Sequence, residues 1–279
     1  MNRDNQTQLA EHFRARHRRK PLLLLPNAWD PISARLFAAA GFDAVATTSA
    51  GVAWALGYPD GQQAPWTDVV AATARIVRTV QLPVTADIEQ GYGETLDQLA
   101  QSITDIIGAG AIGINIEDGT KRAEAPLRSL DEAVERIRAV REAARAAGVP
   151  IVINARTDLY LLNLGEERER FEESVRRGKA YLAAGADCVY PIGLVDPRTI
   201  GDFVEAVAAP VNIIARAGLP SVTELGRLGV ARVSTATGLT LLAMAGIRRS
   251  AEELRTSGRF DLLAEGMKHA EAQQLFSRE

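Results

Sequence analysis

Short apolar runs led by Gly or Ala recur along the chain, in "GFDAVAT", "GAIGINIED", "GVPIVINARTD", "GADCVYP" and "GVARVST". Each reads as a buried strand. Between them, stretches such as Leu130 to Ala147 and Arg168 to Ala184 set apolar and alanine positions three or four apart among Arg and Glu, the spacing of an amphipathic helix. Strand therefore alternates with helix. The runs predict strands near 22–25, 44–47, 84–87, 112–116, 151–155, 187–190, 211–214 and 231–234, eight in all.

Runs this apolar suit parallel strands covered on both faces, and the helical segments supply the crossovers that parallel strands need. Eight such units predict a closed (β/α)8 barrel in the α/β class. An open doubly wound sheet is the alternative, but its nucleotide-binding form needs a glycine fingerprint in the first strand-to-helix turn. That turn is "PNAWDP" here, without glycine. Residues 1–279 are read as one barrel domain, with a polar helical lead-in over 1–20 ending in the basic run "RARHRRK". Residues 248–279 form a C-terminal helical extension, broken near Ser257 and Gly258. The basic run is read as a solvated helix face.

Composition narrows the function. With 47% apolar and 24% charged residues the 279-residue chain is globular, not disordered or fibrous. Its 32 basic and 35 acidic side chains are spread along the sequence, so no field recruits nucleic acid. No apolar stretch approaches the ~18 residues of a membrane span, and the N-terminus is polar. A cytoplasmic protein with no membrane partner is expected. The single Cys188 excludes a multi-thiolate metal site, and it lies in the apolar run "DCVYP", where packing is its role. His12 and His17 precede the first strand and His269 falls in the terminal extension, so the eight units contain no histidine. A Ser-His-Asp triad or His-ligated zinc at the strand ends is thereby disfavoured. Lys20, Lys121, Lys179 and Lys268 all lie outside the strands, which disfavours imine chemistry.

In a barrel of this kind the chemistry sits at the carboxyl ends of the strands. Acids dominate there. The third run ends in Asp87 and Glu89, the fourth in Glu117 and Asp118, the fifth in Arg156 and Asp158, and the loop after the second carries Asp60. By the strand period of two, Asp87 and Glu89 face one side, with Glu117 approaching from the next strand. Close carboxylates repel unless a cation joins them, and an oxygen-only site suits Mg2+, or Mn2+. Arg156 reads either as an internal partner of these acids or as a clamp on a substrate carboxylate. "TTSAGVA" at 47–53 offers hydroxyls and backbone N–H groups to an anion, or forms a plain turn.

Taken together, "LLPNAWDPISARL", "TTSAGVAWALGYPDG", "VTADIEQGYG", "GINIEDGT", "INARTD" and "PVNIIA" resemble the isocitrate lyase / phosphoenolpyruvate mutase superfamily, especially short members related to 2-methylisocitrate lyase and phosphonomutases. The resemblance implies a (β/α)8 barrel whose eighth helix is swapped between subunits of a homodimer or homotetramer. It implies Mg2+ held by Asp87, with Asp60, Glu89 and Glu117 as direct or water-mediated ligands. Glu89 stands where the family pattern commonly has a second Asp. A small carboxylate substrate, an α-oxo acid, would be held by the metal, by Thr48, Ser49 and Ala50, and by Arg156, with Asn212 at the end of the seventh run also binding it. Arg156, Glu117 and Lys121 are read as catalytic.

The chain departs from the family after the fourth run. Carbon–carbon lyases carry K-K/R-C-G-H in that gating loop, whereas "EDGTKRAEAPLRSL" has no thiol. Phosphoenolpyruvate mutases place an asparagine there, and none occurs between Asn115 and Asn154. Ile192 stands where lyases often have an acid, and Lys121 and Arg122 are the cations near the front of the loop. The expectation is an Mg2+-dependent lyase acting on a small 2-oxo or 2-hydroxy carboxylate through a pyruvate-like enolate. Phosphonate P–C chemistry, by a mutase or hydrolase, is one alternative. A non-catalytic oxo-acid-binding barrel is another.

Overall fold

A computed structural model describes residues 2–277. After helix α1 (Arg3–Arg16), the first apolar run is split at Pro26 into β1 (Leu23–Leu25) and β2 (Asn27–Ala28). There follow α2 (Pro31–Ala39), β3 (Val45–Thr47), α3 (Ser49–Ala55), α4 (Trp66–Thr79), β4 (Val84–Asp87) and α5 (Leu96–Gly108). Next come β5 (Gly113–Glu117), α6 (Leu130–Ala146), β6 (Val152–Thr157), α7 (Glu167–Ala183), β7 (Cys188–Pro191) and α8 (Pro197–Val207). The last are β8 (Asn212–Ile214), α9 (Val222–Arg227), β9 (Arg232–Ser234), α10 (Gly238–Ser257) and α11 (His269–Phe276), with a 3-10 turn at Asp261–Glu265. All eight predicted runs are strands. The helices start where the sequence supplies caps: Asp30 with Pro31 opens α2, Thr95 with Gln98 opens α5, and Ser129 with Glu132 opens α6.

Every strand pairing is parallel, and the fold is a (β/α)8 barrel. Its hydrogen-bonded ladder is interrupted twice. One sheet runs β2-β3-β4-β5-β6-β7 and another β1-β9-β8. Proline has no N–H to donate, and at Pro26 the first strand passes from β9 on one side to β3 on the other. Between β7 and β8 a single bridge, Val189 to Val211, joins the sheets. The register sets Asp87 beside Asn115 and Glu117 beside Arg156, which fixes the site at the carboxyl ends of adjacent strands.

The lead-in helix is not a solvated face. Gln6, Ala10, Phe13 and His17 are buried, and Gln6 Nε2 donates to the Ile107 and Ala111 carbonyls at 2.8 and 2.9 Å. Arg14 donates to the Pro150 and Ile151 carbonyls and pairs with Asp187 at 2.8 Å. These partners precede β5, β6 and β7, so α1 closes the amino-terminal end of the barrel. Of the basic run, Arg18, Arg19 and Lys20 are exposed as expected.

At the other end of the chain α10 continues unbroken through residue 248 and stops at Gly258, whose φ of 65° is the left-handed cap that glycine tolerates. Its apolar side is uncovered: Leu242 is 68% and Ile247 71% exposed. Among the described residues no helix is long and apolar enough to cross a membrane.

Candidate active site at the carboxyl ends of the strands

Glu117 ends β5 and Arg156 lies at the paired position of β6. Their side chains meet, with Arg156 Nη1 2.6 Å from Glu117 Oε2. Arg156 also donates to Asp158 through Nε at 2.6 Å and Nη2 at 3.0 Å. Burial opposes its charge, but Glu117 and Asp158 outweigh burial and raise its pKa. Three of its five N–H groups are thus committed to acids of the chain, leaving two for a ligand. The internal-partner reading of Arg156 holds, and the clamp reading survives only through the remaining donors.

The predicted carboxylates do not gather as a cage. No group of three His, Cys, Asp or Glu side chains poised to hold a metal occurs among the described residues. Lys121 supplies the reason. Its Nζ stands 3.1 Å from Glu117 Oε1 and 3.6 Å from Glu89 Oε2, so a cation of the chain itself separates the two acids. Lys121 and Glu89 both have positive φ, 60° and 51°, a region that side-chain-bearing residues seldom adopt. Glu89 therefore lies past the end of β4 in a turn, and the strand-period argument for its direction is wrong even though it reaches the same space. Burial pushes the Glu89 carboxyl up to about 7, helped by Asp60 and Asp87 and opposed by the Gln62 N–H at 2.9 Å. Burial pushes Glu117 up as well, against the pull of Arg156 and Lys121.

Asp87 closes β4 with its backbone N–H bonded to Thr47 Oγ1 at 2.9 Å. Its Oδ2 accepts from Ser49 Oγ at 3.0 Å and from the Ser49 N–H at 3.4 Å. Thr48 caps α3, which places the Ser49 and Ala50 N–H groups in its first turn, the Ser49 one towards Asp87. Asp60 is exposed on the loop after α3 and reaches the others through space only. Asn212 is corrected. It opens β8 instead of ending a strand, is fully buried, and donates to Ser234 Oγ at 3.1 Å. Ser234 in turn touches the Tyr190 hydroxyl, so Asn212 is tied through Ser234 to the strand paired with that of Arg156.

Sequence reasoning missed the support behind the site. Asp118, facing away from Glu117, accepts from the Tyr181 hydroxyl at 2.6 Å, from Arg177 Nη1 at 3.0 Å and from the Asp158 N–H at 2.9 Å. Strand alternation after Glu117 could have shown its direction, but nothing in sequence marks a partner 59 positions away. Gln62 and Tyr92 were missed too: the Tyr92 N–H donates to Gln62 Oε1 at 2.7 Å, tying the two loops around Glu89. Cys188 is buried and burial pushes its thiol up to about 12, consistent with packing and not reactivity.

A divalent ion fits this donor set. The acids are all hard oxygen ligands, Glu89 Oε2 and both Glu117 oxygens are buried with the charges of Lys121 and Arg156 beside them, and the nearby Asp60 and Asp87 raise Glu89. Magnesium needs only one or two protein carboxylates, because it keeps several waters.

A family model described as phosphoenolpyruvate phosphomutase matches residues 13–255. A solved structure from Burkholderia cenocepacia J2315, provisionally assigned as a lyase or mutase, superposes with a TM-score of 0.91 at 38% identity, covering 99% of this chain and 98% of that one. The 2-methylisocitrate lyase of Escherichia coli strain K12 is 31% identical over 67% of this chain and 60% of its own length. An oxaloacetate decarboxylase of Pseudomonas entomophila strain L48 is 31% identical over 73% of this chain and 70% of its own.

Proposed function

Because the chain belongs to the phosphoenolpyruvate phosphomutase family, within the isocitrate lyase and phosphoenolpyruvate mutase superfamily, we propose that it is an Mg2+-dependent lyase. Its substrate is a small 2-oxo or 2-hydroxy carboxylate, cleaved through a pyruvate-like enolate. The observation that carries this reading is the buried Glu117 carboxyl held between Arg156 and Lys121 at the carboxyl ends of the strands.

Asp87 and Glu89 would hold the ion, with Glu117 and Asp60 reached through water. A bound Mg2+ supplies a Lewis acid that draws charge from the substrate oxo group. The remaining N–H groups of Arg156 and those of Ser49 and Ala50 orient the substrate carboxylate, and the Thr48 and Ser49 hydroxyls flank it. Glu117, its affinity for a proton raised by burial, takes or returns the proton at Oε1 beside Lys121. Lys121, carried on the gate hairpin, offers its positive charge to an anionic substrate entering the mouth.

The gate lacks a thiol to protonate a leaving carbanion. Loss of CO2 from a 2-oxo diacid forms the enolate without such a donor, so oxaloacetate heads the panel of substrates. A second reading, P–C chemistry on a phosphonate, is favoured by Lys121 and Arg122 at the gate, where a phosphonate dianion needs cations. Incubation with Mg2+ and oxaloacetate, methylisocitrate, isocitrate, dimethylmalate or phosphonopyruvate, followed by NMR, tests both. Pyruvate or glyoxylate release from the carboxylate substrates supports the lyase, and conversion of phosphonopyruvate to phosphoenolpyruvate, or to pyruvate and phosphate, supports the second reading. Turnover of none of them leaves a binding barrel without catalysis.

The uncovered apolar side of α10 supports a further reading, that this helix packs on a second copy in a homodimer or homotetramer. Light scattering tests it: a mass near the monomer's 30.0 kDa overturns the assembly.

A further inference from the structure

We propose that Lys121 is a tethered counter-ion that competes with the divalent cation, so that metal entry requires its ammonium to leave the Glu89–Glu117 pair. The proposal rests on the metal-site reading above and deepens it. Three observations carry it. First, Glu89 Oε2 and Glu117 Oε1 are buried, and Lys121 Nζ is the cation beside both, at 3.6 and 3.1 Å. Second, the lysine is positioned by its backbone. Its φ of 60° turns the chain back over the mouth, and the segment around it is a closed hairpin. Gly119 and Leu127 form an antiparallel bridge, the Thr120 N–H donates to the Pro126 carbonyl at 2.9 Å, and the Arg128 N–H donates to the Asp118 carbonyl at 2.9 Å. Third, the side chain remains 41% exposed, so it has a path to solvent when displaced.

Two cations cannot share one small set of carboxylates without mutual repulsion. An ammonium already seated between the acids lowers their negative potential and so weakens a divalent ion's binding. Because Lys121 is partly solvated, the effect is screened and is expected near tenfold, not thousands-fold. The hairpin thus couples two states: metal absent with the gate lysine inserted, metal present with it released.

The test is Mn2+ and Mg2+ binding to the metal-free protein, read by calorimetry and by the electron paramagnetic resonance signal of free Mn2+. Wild type, Lys121→Gln, Lys121→Arg and Asp87→Ala are compared, with circular dichroism as the folding control. Lys121→Gln should bind metal about tenfold more tightly, and Lys121→Arg, which keeps the charge, should stay near wild type. Equal or weaker binding by Lys121→Gln overturns the competition. Absence of binding by both wild type and Lys121→Gln overturns the metal site itself, a separate result. Full affinity in Asp87→Ala relocates the ion, whatever Lys121 does, and overturns the proposal with it.

Discussion

Arg156 and Asp158 face each other in a bidentate pair at 2.6 and 3.0 Å, and the Asp158 backbone N–H is itself held by Asp118 Oδ1 at 2.9 Å. The guanidinium is therefore aimed by a chain of contacts that begins on the outer side of the barrel wall. Asp118 fixes Asp158, Asp158 fixes the plane of Arg156, and Arg156 presents Nη1 to Glu117. Planar, two-point contacts of this kind set direction as well as energy.

Asp158→Asn removes the charge from that pair while keeping its shape. A buried ion pair broken on one side costs roughly 3–5 kcal/mol, and here Glu117 offsets part of the loss by remaining beside Arg156. A destabilisation of about 3 kcal/mol is expected in urea unfolding. Calorimetry with oxalate and Mg2+ should show affinity falling at least about tenfold. Unchanged affinity would show that Arg156 does not need Asp158 to meet a ligand.

Gly119→Ala attacks the same pair by volume instead of charge. A Cβ at this position would stand 2.5 Å from Asp158 Oδ2 and 3.2 Å from its Cγ. Either the hairpin or Asp158 must shift, at a cost of roughly 1–3 kcal/mol. Loss of oxalate affinity without a change in far-ultraviolet circular dichroism is the expected pattern, and wild-type affinity counts against the contact.

The barrel was legible because parallel strands covered on both faces must be apolar throughout, which left eight runs standing out between amphipathic helices. The role of α1 was not. Its buried stripe is Gln6, Ala10, Phe13 and His17, correctly spaced for a helix face but half polar. Its fit depends on carbonyls at the amino ends of β5 and β6 that no local pattern discloses. The split at Pro26 was also hidden, since a proline at a strand boundary reads as an ordinary edge.

Within the site, Asp87, Glu117 and Arg156 could be found because strand-end position alone brings them to one mouth. Lys121 could be named from its charge, but not placed: its contact with Glu89 depends on a left-handed backbone and a hairpin closed by main-chain bonds. Asn212 was misplaced by assuming that a polar residue near an apolar run ends it, when the run continues through Ile213 and Ile214.

His17 makes acid stability testable. Its Nδ1 lies 2.8 Å from the Phe13 carbonyl, and burial, with Arg232 nearby, lowers its pKa from 6.5 to about 4. Between those values the unfolded chain binds a proton that the folded chain refuses. Stability is therefore full above pH 6.5 and lost as pH falls towards 4, by on the order of 3 kcal/mol. His17→Asn, which retains an amide donor near Nδ1, should flatten this limb in urea titrations at pH 7 and pH 4.5. An acid limb as steep as wild type would assign the effect elsewhere.

Arg177 ties the two ends of the gate together from behind. Its Nη1 reaches Asp118 at 3.0 Å and its Nη2 reaches the Arg128 carbonyl at 3.1 Å, and those residues flank the hairpin that carries Lys121. Arg177→Met keeps the aliphatic stem but strands a buried carboxylate, costing roughly 3–5 kcal/mol. Tyr181→Phe removes one hydrogen bond from the same carboxylate and leaves its cation in place, a loss of about 1–2 kcal/mol. The two should also differ in limited trypsin digestion. Cleavage after Lys121 and Arg122 should quicken in Arg177→Met, where the hairpin loses an anchor, and stay near wild type in Tyr181→Phe. Equal cleavage in both variants would mean that the hairpin's own backbone bonds suffice to hold Lys121 over the acids.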